Sequence, residues 1–138
     1  GSIIIDDSYN SSPVAVEKSL ITLKVFPYAK RRIAILGDML ELGRYSVMEH
    51  ERVASIATDS ADIIIAVGVR ARVFTSGLSF YDSKEAASSI PDFIQEGDVI
   101  LVKGSQSIRM ERIVEALLAD PADSSKLVRQ EKAWKLKP

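Results

Sequence analysis

The chain has 138 residues, a formal net charge of −1, no cysteine and a single histidine, His50. Its apolar share of 46 % and charged share of 27 % are those of one globular domain, which excludes wholesale disorder and a collagen-like chain. Without cysteine the chain has no disulfide, thiol nucleophile or cysteine-bound metal. The small net charge gives no field that attracts nucleic acid, and no apolar run has the length of a membrane span.

The two ends of the chain differ from its middle. Gly1-Ser2 is typical of the scar of a cleaved expression tag. An apolar run follows directly, and natural proteins seldom begin on a buried strand, so we expect residues 3–120 to be one domain of a longer protein. Residues 121–138 carry five basic and two acidic side chains. We expect a solvated basic tail or a terminal helix that docks through Leu127 and Trp134.

Short apolar runs recur along the chain at regular intervals. They are rich in β-branched residues and have no polar alternation, which predicts strands buried on both faces, as in a parallel sheet. The four strong runs are residues 3–5, 33–36, 63–67 and 99–102, and a weaker one is 78–81.

The segments between these runs have the end signals and periodicity of helices. Pro13 suits the first turn of a helix with Ser12 as its N-cap, and Ser46 with Glu49 matches a capping box. Ser83 is expected to cap a short third helix. The strongest helical stripe consists of Met110, Ile113, Val114, Leu117 and Leu118. Strands and helices alternate, which predicts an α/β fold with an open, mainly parallel sheet flanked by helices.

Three loops that follow predicted strands carry most of the functional information, because ligands of such sheets bind beyond the carboxyl ends of the strands. Loop 6–13 places carboxylate, hydroxyl and amide groups before a helix N-terminus, where free N–H groups favour anions. Loop 36–44 has apolar side chains that pack on a ligand, another domain or the core. Loop 102–109 offers a lysine, a glycine and serines to an anion. Ordinary turns and helix caps explain the same compositions, so both interpretations remain open.

Several catalytic and cofactor motifs are absent from the sequence. It lacks the dinucleotide fingerprint G-x-G-x-x-G, the phosphate-binding G-x-x-x-x-G-K-[ST] and the nucleophile elbow G-x-S-x-G. His50 falls in a predicted helix between Glu49 and Glu51, and adjacent helical side chains do not converge on one ion. We therefore expect a structural role for His50 and no metal site furnished by this chain.

Taken together, three strings are more specific than any single loop. They are D-D-S-Y-N at residues 6–10 with Pro13 after it, L-G-D-M-L-E-L-G at 36–43 and G-D-V-I-L-V-K-G-S at 97–105. Over residues 3–119 the chain resembles the C-terminal domain of the Mur ligases. Within that family it is most similar to members that join D-Ala-D-Ala to UDP-MurNAc-tripeptide in peptidoglycan precursor synthesis.

The resemblance implies a Rossmann-like domain at the end of an enzyme with three domains. The absence of cysteine suits the cytoplasm, where we expect the protein, and we take a monomer as the default. An N-terminal domain would hold the UDP-sugar, and a central ATPase domain would carry the phosphate loop and the Mg²⁺ ligands. The C-terminal domain would close over the central one and help to bind ATP and the incoming dipeptide. The resemblance therefore implies no complete catalytic set in this chain, and we expect the isolated chain to be inactive.

The resemblance also assigns residues to ligands. Asp7 matches the position whose carboxylate contacts the ATP ribose, and Ser8, Tyr9 and Asn10 occupy the loop that approaches the nucleotide and its phosphates. The segments that line the amino-acid site would be Gly37-Asp38 and Lys103-Gly104-Ser105. Lys103 is a suitable partner for the D-Ala-D-Ala carboxylate.

Two other functions compete with this interpretation. The first is a stand-alone module that binds a small molecule or a protein and uses the fold without ligase chemistry. The second is another ligase of the superfamily, such as a folylpolyglutamate synthase or a cyanophycin synthetase. The D-S-Y-N and L-G-D-M-L-E-L-G strings argue against the second, because folate-type members would be expected to carry a D-Y-A-H-like loop.

Overall fold

The structure is a computed structural model that describes residues 1–8, 11–40, 42–75, 77–119 and 126–129. Within these ranges six strands form one sheet in which every neighbouring pair is parallel, in the order β4-β3-β2-β5-β1-β6. The strands are β1 (Ile3–Asp7), β2 (Arg31–Gly37), β3 (Ile63–Val67), β4 (Ser79–Phe80), β5 (Asp98–Lys103) and β6 (Lys126–Arg129). The helices are α1 (Pro13–Val25), α2 (Ser46–Ser60), α3 (Ser83–Ser89) and α4 (Glu111–Ala119). The predicted α/β fold with a parallel sheet is confirmed.

The sheet is covered on both faces, and this gives the domain two apolar cores. Successive side chains of a strand point to opposite faces, so Ile5 packs in the core beneath α1 and α2 while Ile4 packs in the core beneath α3 and α4. Each face of the sheet needs its own helical layer because β5 is buried along its whole length and β2 is buried from Ile33 onwards. Among the described residues, no helix has the length and apolar character needed to cross a membrane.

The amino ends of the two central strands are joined by an ion pair. Arg31 opens β2 and Asp98 opens β5, and the Arg31 Nε and Nη2 atoms lie 2.8 and 2.7 Å from the two Asp98 carboxylate oxygens. The hydrogen bond to Asp98 raises the pKa of Arg31, so the guanidinium group keeps its charge. This end of the sheet is therefore fixed by structural charges, and the opposite end carries the candidate site.

The helix starts agree with the sequence in one case and differ in two. Ser12 caps α1 and Pro13 is its first residue, as predicted. The predicted caps Ser46 and Ser83 are wrong, because each is already the first residue of its helix. Asp82 caps α3 instead. A 3₁₀ turn runs directly into α2, so no side-chain cap is present there.

Two further segments differ from expectation. Between β3 and β4 the alternating pattern predicts a helix, and the structure has a short 3₁₀ helix, Arg70–Phe74. Of residues 121–138 the structure describes 126–129, which form edge strand β6 against β1 instead of a tail or helix. Leu127 belongs to this strand, while Trp134 lies outside the described residues. The four residues of β6 contain too short an apolar run to signal a strand in the sequence.

Candidate ligand-binding site at the carboxyl ends of β1, β2 and β5

A buried ion pair lies where β1 and β5 end. The strand register places Asp7 beside Lys103, and the Lys103 Nζ atom is 2.9 Å from Asp7 Oδ2. The hydroxyl of Ser19, on α1, donates to the same carboxylate oxygen. The Lys103 side chain is 1 % exposed and that of Asp7 is 15 % exposed. A charge this deeply buried is stable only beside an opposite charge or good acceptors, which Asp7 supplies.

The chain turns at the end of β1 through Asp6. Its Oδ1 atom accepts hydrogen bonds from the Ser8 amide at 3.1 Å and from the Ser8 hydroxyl at 2.6 Å. This Asx turn directs the chain towards the start of α1. Ser8, in the predicted nucleotide loop, is thus buried, and its hydroxyl group donates a hydrogen bond to Asp6. Tyr9 and Asn10, the other predicted residues of this loop, lie outside the described residues.

The N-terminus of α1 carries an unsatisfied buried hydroxyl. Ser12 Oγ accepts from the Ala15 amide at 3.2 Å, and Pro13 contributes no N–H. Ser11 is 7 % exposed, and its Oγ atom has no hydrogen-bond partner among the described residues. A buried hydroxyl without a partner costs about 1–3 kcal/mol, so native proteins rarely leave one unexplained. The sequence does not single out Ser11 within loop 6–13, because composition does not show which hydroxyl lacks a partner.

In the loop after β2, Asp38 bonds to the neighbouring 3₁₀ helix. Its Oδ1 atom accepts from the Ala71 amide at 2.6 Å, near the start of that helix. Gly68 lies against the same carboxylate, and a Cβ atom there would be 2.6 Å from Asp38 Oδ1. Met39, next along the loop, is 1 % exposed and packs in the α1–α2 core. Of the three partners expected for the apolar side chains of loop 36–44, Met39 therefore packs on the core.

The loops after β2 and β5 touch through two glycines. A Cβ atom on Gly104 would lie 2.5 Å from Met110 Cγ and 3.2 Å from the Gly37 Cα atom. A Cβ atom on Gly37 would lie 2.9 Å from Met110 Sδ. Both positions therefore need glycine for close approach of the two backbones over Met110. The contact brings Ser105 to the β2 loop, where its Oγ atom accepts from the Leu40 amide at 3.1 Å.

The structure thus gathers most of the predicted site residues at one edge of the sheet. Gly37 and Asp38 meet Gly104 and Ser105, and Lys103 reaches across to Asp7. Residues assigned to the nucleotide and to the dipeptide are therefore in direct contact. No group of three potential metal-binding side chains occurs in the described residues. Arg109, in loop 102–109, has a positive φ of 60° and forms an exposed ion pair with Glu111.

Comparisons with known proteins point to one family. The model of the Mur ligase, glutamate ligase domain matches residues 1–106. The UDP-N-acetylmuramoyl-tripeptide–D-alanyl-D-alanine ligase of Buchnera aphidicola subsp. Acyrthosiphon pisum (strain APS) is 34 % identical, over 86 % of this chain and 27 % of that protein. The ligase of that name from Bacillus subtilis (strain 168) is 30 % identical, over 88 % of this chain and 29 % of that protein.

Solved structures agree with the sequence matches. The MurF ligase of Thermotoga maritima in complex with ADP aligns with a TM-score of 0.71 and 30 % identity, over 83 % of this chain and 28 % of that one. MurF from Acinetobacter baumannii aligns with a TM-score of 0.71 and 28 % identity, over 85 % of this chain and 27 % of that one. The chain spans less than a third of the length of these relatives. Since the family model covers more than half of the chain, the chain belongs to the Mur ligase family and contains its glutamate ligase domain.

Proposed function

We propose that this chain is the C-terminal domain of an ATP-dependent ligase that joins D-Ala-D-Ala to UDP-MurNAc-tripeptide in peptidoglycan precursor synthesis. The observation that carries the proposal is similarity of 30 and 34 % over more than four fifths of the chain to ligases of that name. A reaction driven by ATP and a UDP-linked substrate belongs in the cytoplasm, where we place it. We take the complete enzyme to be a monomer.

For ATP we propose the edge formed by β1 and α1. A solved structure of the MurF ligase of Thermotoga maritima is a complex with ADP, which supports a nucleotide as a ligand of the complete enzyme. Asp7 uses Oδ2 for Lys103 and Ser19, which leaves Oδ1 for a ribose hydroxyl. Ser8, Tyr9 and Asn10 would approach the phosphates. The Ser11 hydroxyl at the positive end of α1, which has no partner among the described residues, fits an anionic ligand. ATP would supply the energy of amide formation, with Mg²⁺ bound mainly by the preceding central domain.

For the dipeptide we propose the edge formed by β2 and β5. Lys103, the last residue of β5, carries the positive charge that would bind the dipeptide carboxylate. Ser105 and Gly104 would shape the same pocket from β5, and Gly37 and Asp38 would do so from β2. The Asp38 carboxylate would attract the amino group of the dipeptide. Each ligand would thus have half of its site here and half on the preceding domains, which close over it.

The test is product analysis with the complete protein that carries this chain. We expect UDP-MurNAc-tripeptide, D-Ala-D-Ala and Mg-ATP to give ADP and a UDP-product that is heavier by one D-Ala-D-Ala unit, detected by mass spectrometry. The 138-residue chain alone should give neither product. If the complete, folded protein forms no such product but binds another small molecule or a protein, the stand-alone binding module replaces this proposal. Activity with a folate substrate instead would assign another ligase of the superfamily.

A further inference from the structure

One peptide unit connects the two loops of the proposed dipeptide site. The Met39 N–H group donates to His50 Nε2 at 3.0 Å. The carbonyl of the same peptide, which belongs to Asp38, accepts from the Ser105 amide at 3.3 Å. Because a peptide unit is planar, its N–H and C=O groups turn together. A rotation of the Asp38–Met39 plane would therefore break the bonds to His50 and to Ser105 at once.

The hydrogen bonds of His50 define a single neutral tautomer. Nδ1 lies 2.7 Å from the Ser46 carbonyl oxygen, which only accepts, so Nδ1 carries the proton. Nε2 is then the acceptor that the Met39 amide requires. The ring is 1 % exposed and stacks on Phe74, with ring centroids 5.4 Å apart and planes at 27°. His50 is thus fixed in place by α2 on one side and by the 3₁₀ helix on the other.

The 3₁₀ helix Arg70–Phe74 packs on the His50 ring and also bonds to Asp38, the residue before Met39. Its Ala71 amide donates to Asp38, while its Phe74 ring packs on His50. Asp38 and Met39 are therefore fixed at consecutive positions. On the far side of the loop, Ser105 bonds to this segment through both its amide and its hydroxyl. The orientation of Ser105 depends in this way on the peptide that His50 fixes.

We propose that His50 is a positioning residue that sets the Asp38–Met39 peptide and, through it, the place of Ser105 in the dipeptide site. The substrate part of this inference rests on the proposed function, whereas the structural part does not. Displacements of about 1 Å at a binding residue are enough to impair a two-substrate reaction. Loss of the Nε2 acceptor should therefore affect dipeptide binding more than ATP binding.

Two variants of His50 separate the acceptor from the space that the ring fills. His50→Gln retains an oxygen that accepts from the Met39 amide, whereas His50→Met has a similar length and only a weakly accepting sulfur. Phe74→Leu serves as the structural control, because it loosens the packing of the ring and keeps Nε2. All three variants are compared at equal folded fraction, judged by the exchange of the Ile65 amide in buried strand β3.

The structural half is tested by amide hydrogen exchange in the 138-residue chain. In His50→Met the Met39 and Ser105 amides should exchange about tenfold faster relative to Ile65, because their bonds open without global unfolding. His50→Gln and Phe74→Leu should keep the wild-type ratios. If the Ser105 amide of His50→Met exchanges as slowly relative to Ile65 as it does in the wild type, the proposal is wrong. This result does not depend on ligase activity.

The functional half is tested by KM values in the complete ligase. His50→Met should raise the KM for D-Ala-D-Ala about fivefold at an unchanged KM for ATP, and His50→Gln should restore it. Equal changes in both KM values, or no change in either, contradict the positioning role. A wild-type protein that forms no product contradicts the proposed function alone, since the exchange ratios still decide the role of His50.

Discussion

Lys103 and Asp7 form an ion pair between neighbouring parallel strands, and the lysine is the more deeply buried partner. Each residue lies two positions after an apolar residue of its own strand that points to the α1–α2 face. Lys103 comes after Leu101 in β5, and Asp7 comes after Ile5 in β1. The pair therefore continues a core layer into the ligand-binding edge. Replacing one member changes both the stability of the domain and the charge presented to ligands.

The stability of the ion pair gives the first prediction. Asp7→Asn removes a negative charge beside a buried ammonium group and should lower the free energy of unfolding by about 3 kcal/mol. Lys103→Met leaves a partly exposed carboxylate and should cost less. The double variant should lose less than the sum of the two, because the residues interact directly.

Urea unfolding of the 138-residue chain measures these free energies. Arg52→Met is the matched control, since the Arg52–Glu17 pair is 43 % and 39 % exposed. We expect it to cost under about 1 kcal/mol, as surface pairs do. Strict additivity of Asp7→Asn and Lys103→Met would show that the two residues are energetically independent.

The same pair separates the two proposed ligand sites in the complete ligase. Asp7→Asn should mainly raise the KM for ATP, and Lys103→Met should mainly raise the KM for D-Ala-D-Ala. Because the residues are bonded, each change should also have a smaller effect on the other ligand. Steady-state titration of both substrates decides, and an identical defect in the two variants would rule out separate nucleotide and dipeptide sides.

Asp38 has a structural contact and a proposed substrate contact that one substitution distinguishes. Asp38→Asn keeps an oxygen for the Ala71 amide, so the unfolding midpoint should stay close to that of the wild type. Loss of the carboxylate charge should raise the KM for D-Ala-D-Ala about tenfold, because the amino group of the dipeptide loses one charged hydrogen bond. Asp62→Asn is the control, because Asp62 accepts from the Arg32 amide at the opposite end of the sheet. A wild-type KM in Asp38→Asn would leave Asp38 with the structural role alone.

Gly68 gives a prediction that concerns the shape of the site. Its φ is +111° and a Cβ atom would overlap the Asp38 carboxylate, so Gly68→Ala should lower the free energy of unfolding by about 2–3 kcal/mol. Gly43→Ala, at φ +57° with open space around it, should cost only about 1 kcal/mol. Thermal or urea unfolding compares them, and equal losses would mean that the contact with Asp38 is unimportant.

The variant Ser11→Ala tests whether the N-terminus of α1 binds an anionic ligand. Ser11→Ala removes a buried hydroxyl that has no described partner, so the chain should keep its stability or gain up to about 1 kcal/mol. The KM of the complete ligase for ATP should rise. Ser88→Ala is a control on the exposed surface, where Ser88 bonds to Lys84 of its own helix. A clear loss of stability in Ser11→Ala would indicate that the hydroxyl serves the fold.

The sequence predicts the elements of this domain better than their contacts. Apolar runs locate the buried strands and the Ser12-Pro13 pair locates the cap of α1, because each pattern involves only residues that are neighbours in the sequence. The register of β1 against β5 is not local, so the contact between Asp7 and Lys103 cannot be derived from spacing. The same limit hides the contacts of Gly68 with Asp38 and of His50 with Met39. The expectation of a structural role for His50 fits its burial and its two hydrogen bonds to the backbone.

The most direct test of the proposed function is D-Ala-D-Ala-dependent ADP release by the complete protein, compared with the same protein truncated just before the position of Ile3. We expect ADP release by the complete protein and none by the truncated one at any concentration of ATP or dipeptide. A truncated, folded protein that releases ADP at the full rate would contradict the claim that this domain completes the binding sites for both ligands.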